Sequence, residues 1–383
     1  MSGAQQTKLV GSLSDGTAVR ACHISGGGEA TSCRATILSY GATLAELHVP
    51  DAQGCLGDVD LGFADLEGWT SPENPFMNCI IGRTAGRNAA PGLTVHGVLR
   101  RLPGCDGGGG GIKPETNLHG GGVWNRAVWL VRKSDDSSVT LEHTCPEGPL
   151  PGTVTATVTY RCTHHELHID CEAVTTAVSP ISITNHAYFN LSAGVDATCR
   201  EHTLQLNCDA FSPDDGSRDG LPTGLRQDVF GTHRDLRSGP VRLAQVLDGQ
   251  EKASPHWPHG EEFVVRDMLG RDLSAVAAAA KLGDPKALAL AATLAHPPSG
   301  REMKVFTSET ALQTYYSTLL GDCGGFACKG GRTYQKHGAI CLKAQRFANA
   351  ENIEAPSRLI KPGDAYHQRT VFCFSLDHDW RAN

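Results

Sequence analysis

The sequence has no uninterrupted apolar stretch long enough to cross a bilayer. The nearest candidate, residues 275–294, is broken by Lys281, Asp284, Pro285 and Lys286. It has no basic block either: lysines and arginines cluster at most in pairs, and the formal net charge is −7. That balance excludes the electrostatic footprint of a nucleic-acid binder and of a cationic membrane-surface protein. The first residues show no basic flank followed by an apolar core, so a secretory leader is not expected. No myristoylation signal follows Met1, and Arg381-Ala-Asn383 is not a peroxisomal tripeptide. The 14 cysteines show no metal-ribbon spacing; the tightest pair, Cys323 and Cys328, has no second pair behind it. Free thiols in a reducing compartment, and a cytoplasmic location, are the expectation. No strand–helix–strand rhythm and no internal repeat occur.

What is present is alternation. Val154, Ala156, Val158 and Tyr160 share one face of a period-2 segment whose other face carries threonines. Strands are predicted over 126–132, 138–144, 153–160, 166–174, 181–191, 203–208, 287–295, 303–307, 312–319, 339–345 and 369–376, with further hairpins in residues 8–50. The segment 371–376 is apolar on both faces apart from Ser375, which predicts a central strand. A short helix over 274–281, capped by Ser274 and stopped at Gly283, is the exception. The fold class expected is all-β, a large antiparallel β-sandwich spanning residues 1–383 as one domain. Loop insertions are expected near 104–116, where five glycines run together, and near 212–260, rich in Pro, Gly and Asp.

Polar residues gather at four places: Arg83 and Arg87 in a turn after Ile80-Ile81, His119 in a glycine turn, His186 and Tyr188 on the polar face of 181–191, and Lys343 with Gln345 in the 339–345 strand. Taken alone, each is better explained by a hydrogen-bonded structural residue than by chemistry. Taken together, they resemble one family. Arg83-Thr-Ala-Gly-Arg-Asn88, Asn117-Leu-His-Gly-Gly121, Asn185-His-Ala-Tyr-Phe-Asn-Leu191, Thr307 with Gln313-Thr-Tyr315, and Arg358-Leu-Ile-Lys-Pro-Gly-Asp364 stand in the order and spacing of the aldose 1-epimerases, or galactose mutarotases. The resemblance covers nearly the whole chain.

It implies a galactose mutarotase-like sandwich with an open sugar cleft, acting on a free hexose with no metal and no cofactor. A carboxylate takes the proton of the C1 hydroxyl while an imidazole protonates the ring oxygen; the ring opens and recloses on either face. By the motifs, His186 is the acid at the ring oxygen, His119 holds a sugar hydroxyl or shares that role, and Arg87 and Gln313 bind the sugar. A monosaccharide is the implied ligand, with neither nucleic acid nor membrane as a partner.

Three positions depart from the pattern. The family's catalytic Glu is Lys343 here. Its parity with Cys341 and Gln345 aims the amine at the cleft. The family's sugar-binding Asp falls on Gly260, with Glu261 and Glu262 beside it, and the Asn before Arg87 is Gly86. An ordinary lysine, with a pKa near 10.4, is neutral about once in a thousand at pH 7, a cost of about 4 kcal/mol in available base. Burial or Arg87 would lower that pKa, whereas Glu261 or Glu262 would hold the charge in place. Glu351 and Glu354 read as solvated loop charges. The sequence therefore leaves three readings open: an epimerase on an altered site, a catalytically lapsed binding or regulatory protein for acidic or phosphorylated sugars, or a structural protein with the fold alone.

Overall fold

A computed structural model of the chain describes residues 7–375 apart from 90, 103–115, 217–219, 254–259, 322–326, 354 and 356. The predicted glycine-run insertion, Glu354 and Cys323 lie outside the described residues.

The largest sheet has nine antiparallel strands. In spatial order they are Leu130–Ser134, Ser138–Cys145, Val154–Cys162, Glu166–Thr175, Tyr366–Ser375, Arg301–Thr307, Ala289–His296, Thr203–Leu206 and Val241–Arg242. The strand read as central from its two apolar faces is central, paired to Glu166–Thr175 on one side and Arg301–Thr307 on the other. In Val154–Cys162 the valines, Ala156 and Tyr160 are buried while the threonines are half-buried, as the alternation requires. A five-stranded sheet of Thr7–Ser12, Ala18–Ser25, Arg34–Leu38, Thr43–Pro50 and Leu56–Asp58 forms the N-terminal part.

A second five-stranded sheet positions the site. Its order is Gln227–Asp228, Cys208–Ser212, Glu261–Val265, Ala311–Tyr315, Cys341–Gln345. Phe263, Leu312 and Ala344 form a register row across its last three strands. That row joins the main core, which includes Ile169 and Phe372 of the large sheet. Burying side chains the size of Phe263 and Leu312 contributes roughly 1.5–3 kcal/mol each. The opposite face of the same three strands is left for the cleft.

Three local expectations need correcting. The segment 181–191 is extended but not one strand. Thr184–Asn185 pairs with Ile80–Ile81, and beyond it Ser182 and Phe189 make only isolated bridges, to Thr84 and to Asp60 and Ile340. Further on, its backbone is shared among neighbours: Phe189 exchanges hydrogen bonds with Ile340, while Leu61 donates to the Tyr188 carbonyl. The helix is Leu273–Lys281, and its cap is Asp272, whose carboxylate accepts from the Ser274 and Ala275 amides. Residues 212–260 are not all loop, since Leu243–Ala253 is a helix burying Leu243, Val246, Leu247 and Gln250. No disulfide joins the described cysteines; Cys33 and Cys162 meet as thiols, sulfur to sulfur 3.8 Å. No helix of the described residues is long and apolar enough to cross a membrane.

Candidate functional site

Strand register decides which polar side chains meet. Glu262 pairs with Gln313, and Gln313 with Lys343, so the three share one face of adjacent strands. The neighbouring row on that face is Val264, Ala311 and Gln345. Glu261 has the other parity. It lies in the row of Thr314 and Leu342, and its carboxylate is 2.5 Å from the Arg234 guanidinium and 3.7 Å from His233. The expectation that either glutamate serves the cleft is thus corrected: Glu262 faces it, and Glu261 is taken by Arg234. Adjacent glutamates on a strand point to opposite sides.

His186 reaches the same space from the segment paired with Ile80–Ile81. Its amide donates to the Cys79 carbonyl at 3.0 Å. Its ring stacks on Tyr188 (5.2 Å between centroids) and on Phe76 (6.4 Å). His119 stands edge-on to it at 5.2 Å. His119 opens the turn His119–Gly122 at φ 55, and two bonds lock it to the Gly86 turn. Its amide donates to the Gly86 carbonyl, and the Gly86 amide donates to its Nδ1 at 3.1 Å. An amide aimed at Nδ1 requires a lone pair there, so the neutral ring carries its proton on Nε2. The strands Arg87–Ala89 and Thr116–Leu118 pair with Arg87 opposite Leu118, which puts Arg87 beside this turn.

The central contact is Lys343 Nζ to His186 Nε2, 3.3 Å, between residues 157 apart in sequence. The amine also lies 5.8 Å from the centre of the Tyr315 ring. Among the described residues, no carboxylate is within ion-pairing distance of it. The expected lock by Glu261 or Glu262 is absent because Glu262 is engaged elsewhere: its Oε1 accepts from the Ala348 backbone amide at 3.0 Å and from the Gln345 side-chain Nε2 at 3.3 Å. His119, His186, Lys343 and Glu262 are all buried.

Burial sets their protonation. It lowers Lys343 to about 8, helped by Arg87 and opposed by Cys341 and Glu262. It pushes His186 well below the ordinary histidine value, and the Lys343 charge adds to that. His119 is pushed the same way, by burial first and then by Lys343, His186 and Arg87. Glu262 is raised to about 7 by burial, against the Ala348 and Gln345 hydrogen bonds and the charges of Arg358 and Lys343. At neutral pH both imidazoles are uncharged and most of the amine is protonated, so the ammonium donates to His186 Nε2. The His186 proton then sits on Nδ1, which is buried with no hydrogen-bond partner among the described residues.

The two glycine departures have steric causes. A Cβ on Gly86 would lie 2.4 Å from the Ala348 Cβ, and the residue has φ +83. A Cβ on Gly260 would meet the Thr314 carbonyl at 1.7 Å. Neither position accepts an Asn or Asp on this backbone.

Other motif residues serve structure. Arg83 is buried, donating to the carbonyls of Leu150, Pro151, Cys145 and Pro146. Glu351 is not a solvated loop charge: its side chain is 2% exposed and ion-paired to the fully buried Arg358. His296 bonds Ser299 and Asp196. Phe76, Tyr315 and Gln345 join the site without having been assigned a part in it from sequence. Gln345 was readable from its parity with Lys343, and Tyr315 from its motif; Phe76, at φ 60, gave no sequence signal. Glu46, His48 and Asp58 bring potential metal ligands within 4.8 Å of one another. Both Asp58 oxygens are engaged, however, by the Leu47 amide and by Lys329, and no cleft residue is among the three.

Comparison with known proteins agrees with this architecture. The family model described as aldose 1-epimerase matches residues 28–373. Galactose mutarotase of Rattus norvegicus is 31% identical over 347 residues, covering 89% of this chain and 90% of the relative. Aldose 1-epimerase of Escherichia coli K12 is 28% identical over 349 residues, covering 88% and 91%. A solved aldose epimerase homologue from C. elegans superposes with a TM-score of 0.77 at 25% identity, covering 93% of this chain and 98% of that one. Similarity of this extent, spanning the site strands and the turns that carry His119 and His186, means that the chain belongs to the aldose 1-epimerase family.

Proposed function

We propose that the cleft binds a free aldohexose and interconverts its anomers, with one proton shared between Lys343 and His186. The observation that carries this reading is the 3.3 Å contact between the Lys343 amine and His186 Nε2. The family resemblance implies a carboxylate at position 343 and an imidazole at 186, with a single proton passing between O1 and the ring oxygen. An amine in place of the carboxylate keeps the number of protons and changes where the proton rests. Ring opening needs neutral Lys343 and protonated His186. The resting pair is the reverse, an ammonium beside a neutral imidazole, which is the arrangement suited to ring closure. His119 offers its Nε2–H to a hydroxyl, and Arg87, Gln313 and Glu262 line the wall. The rearrangement makes this a slow epimerase.

Polarimetry of freshly dissolved α-galactose and α-glucose, with and without protein, tests the reading. The expected result is a rate above buffer that falls as pH rises through about 8, where the shared proton is lost. A rate equal to buffer at every pH overturns it.

A second reading has one observation in its favour. Arg87 acts on both Lys343 and His119, and no carboxylate of the described residues ion-pairs the amine. Converging cations suit an acidic or phosphorylated sugar held without turnover. Calorimetric titration separates the two, since phosphorylated hexose binding more tightly than the neutral sugar favours this second reading.

A further inference from the structure

Lys343 differs from the carboxylate it replaces in one chemical respect beyond charge: a neutral amine is a nucleophile toward aldehydes. Three features of its surroundings favour that chemistry. The amine is buried, with His186 Nε2 as its one hydrogen-bond partner among the described residues. No carboxylate of those residues is near enough to hold it charged. The adjacent imidazole is neutral, so it can take a proton from nitrogen. On the reading given above, the sugar passes through its open-chain form with C1, now an aldehyde, at the position that faces residue 343. We infer that Lys343 condenses with the aldehyde of the ring-opened aldose and holds it as an imine on Nζ. The inference rests on the proposed sugar cleft and adds a covalent intermediate to it.

The step balances within the site. The Nζ lone pair forms the C–N bond to C1 as the carbonyl π bond breaks. The first proton shed by nitrogen passes through His186 Nε2 to the oxygen, giving a carbinolamine. The second follows the same route to the hydroxyl, which leaves as water while the C=N bond forms. One amine and one aldehyde give one imine and one water, with no oxidant or reductant. Water adds back by the reverse path and frees the aldehyde, which closes to either anomer. Burial at Lys343 supports the nucleophile: with a value of about 8, its neutral fraction at pH 7 is on the order of a hundred times that of a surface lysine.

The test is reductive trapping on the full chain. The protein is incubated with galactose or glucose and cyanoborohydride, then read by intact mass and peptide mapping. The expected adduct has the mass of a hexose less one oxygen, maps to Lys343, and forms at least about tenfold faster than on any exposed lysine. Its rate rises with pH through about 8, opposite to the epimerisation profile. Excess methyl galactoside, which cannot open, suppresses it. Lys343→Arg and Lys343→Met abolish the adduct with the far-UV spectrum retained, and mapping of the unaltered chain does not depend on either variant folding. Calorimetric binding of galactose with no adduct at Lys343, or with labelling spread over exposed lysines only, overturns the imine and leaves the sugar cleft standing. Absence of both binding and adduct overturns the imine and the proposed function together.

Discussion

Lys343→Glu returns a carboxylate to the strand position that faces His186, and its effect follows from where the shared proton rests. In the unaltered chain Lys343 sits at about 8, and His186 lies below the ordinary histidine value of 6.5. The proton therefore rests on the amine, and moving it to His186 spans more than about 1.5 units, at least about 2 kcal/mol, or roughly thirtyfold in the population able to open a ring. With a carboxylate at position 343 the neighbour of His186 Nε2 becomes an anion. Reversing a unit charge some 4 Å away changes the imidazolium's energy by several kcal/mol at an effective dielectric constant of about 20. The carboxylate–imidazolium pair becomes the resting state. The gain belongs to the transition state, so kcat rises at least about thirtyfold while KM stays nearly constant. The activity then takes a bell shape, falling at low pH as the introduced carboxylate protonates and at high pH as His186 loses its raised affinity for the proton. Polarimetry on α-galactose over a pH series reads both. A folded variant that binds galactose as well as the unaltered chain yet epimerises no faster refutes the reasoning.

Other expectations follow from the same burial. Lys343 is a base whose pKa falls on folding, from 10.5 to about 8, so the folded state pays for its charge fully below pH 8 and not at all above 10.5. Lys343→Met therefore stabilises the fold by up to about 3 kcal/mol at pH 7, a gain that disappears near pH 10.5; thermal melts at the two pH values check it. Glu262 rises from 4.5 to about 7, so its carboxyl costs nothing below pH 4.5, destabilises progressively between pH 4.5 and 7, and costs its full amount above about 7. Glu262→Gln, which keeps an acceptor for the Ala348 amide, raises stability at pH 8 by up to about 3 kcal/mol and leaves it unchanged below pH 4.5. Glu351→Gln strands the buried Arg358 charge and costs about 3–5 kcal/mol in denaturant unfolding; a change under about 0.5 kcal/mol means that the carboxylate is solvated after all.

The legible part of this protein is the part governed by period 2. Alternation in residues 153–160 and the two apolar faces of 371–376 located strands and even the central one, because side-chain direction along a strand needs no partner to be known. The helix Leu243–Ala253 escaped although Leu243, Val246, Leu247 and Gln250 carry its spacing; Gly249 and the Pro- and Gly-rich surroundings masked it. Glu351 was misread because a charge in an Asn- and Ala-rich stretch looks like loop, and the arginine that buries it is seven residues on and reaches back. Segment 181–191 kept its alternating sides but not its continuous pairing, since its backbone partners are scattered over residues 59–61, 78–85, 340 and 358.

By itself the sequence determined the fold class, the family motifs and the direction in which Lys343 points, all of which follow from local pattern and spacing. Only the tertiary structure decided what Lys343 meets and in which protonation state. Folding brings His186 to 3.3 Å across 157 residues, turns Glu261 away to Arg234, and commits Glu262 to Ala348 and Gln345. A pKa measures desolvation and neighbouring charge, and both exist only once distant strands have closed around the group. The lysine was visible in the sequence, but its lowered pKa and its imidazole partner are properties of the packed cleft.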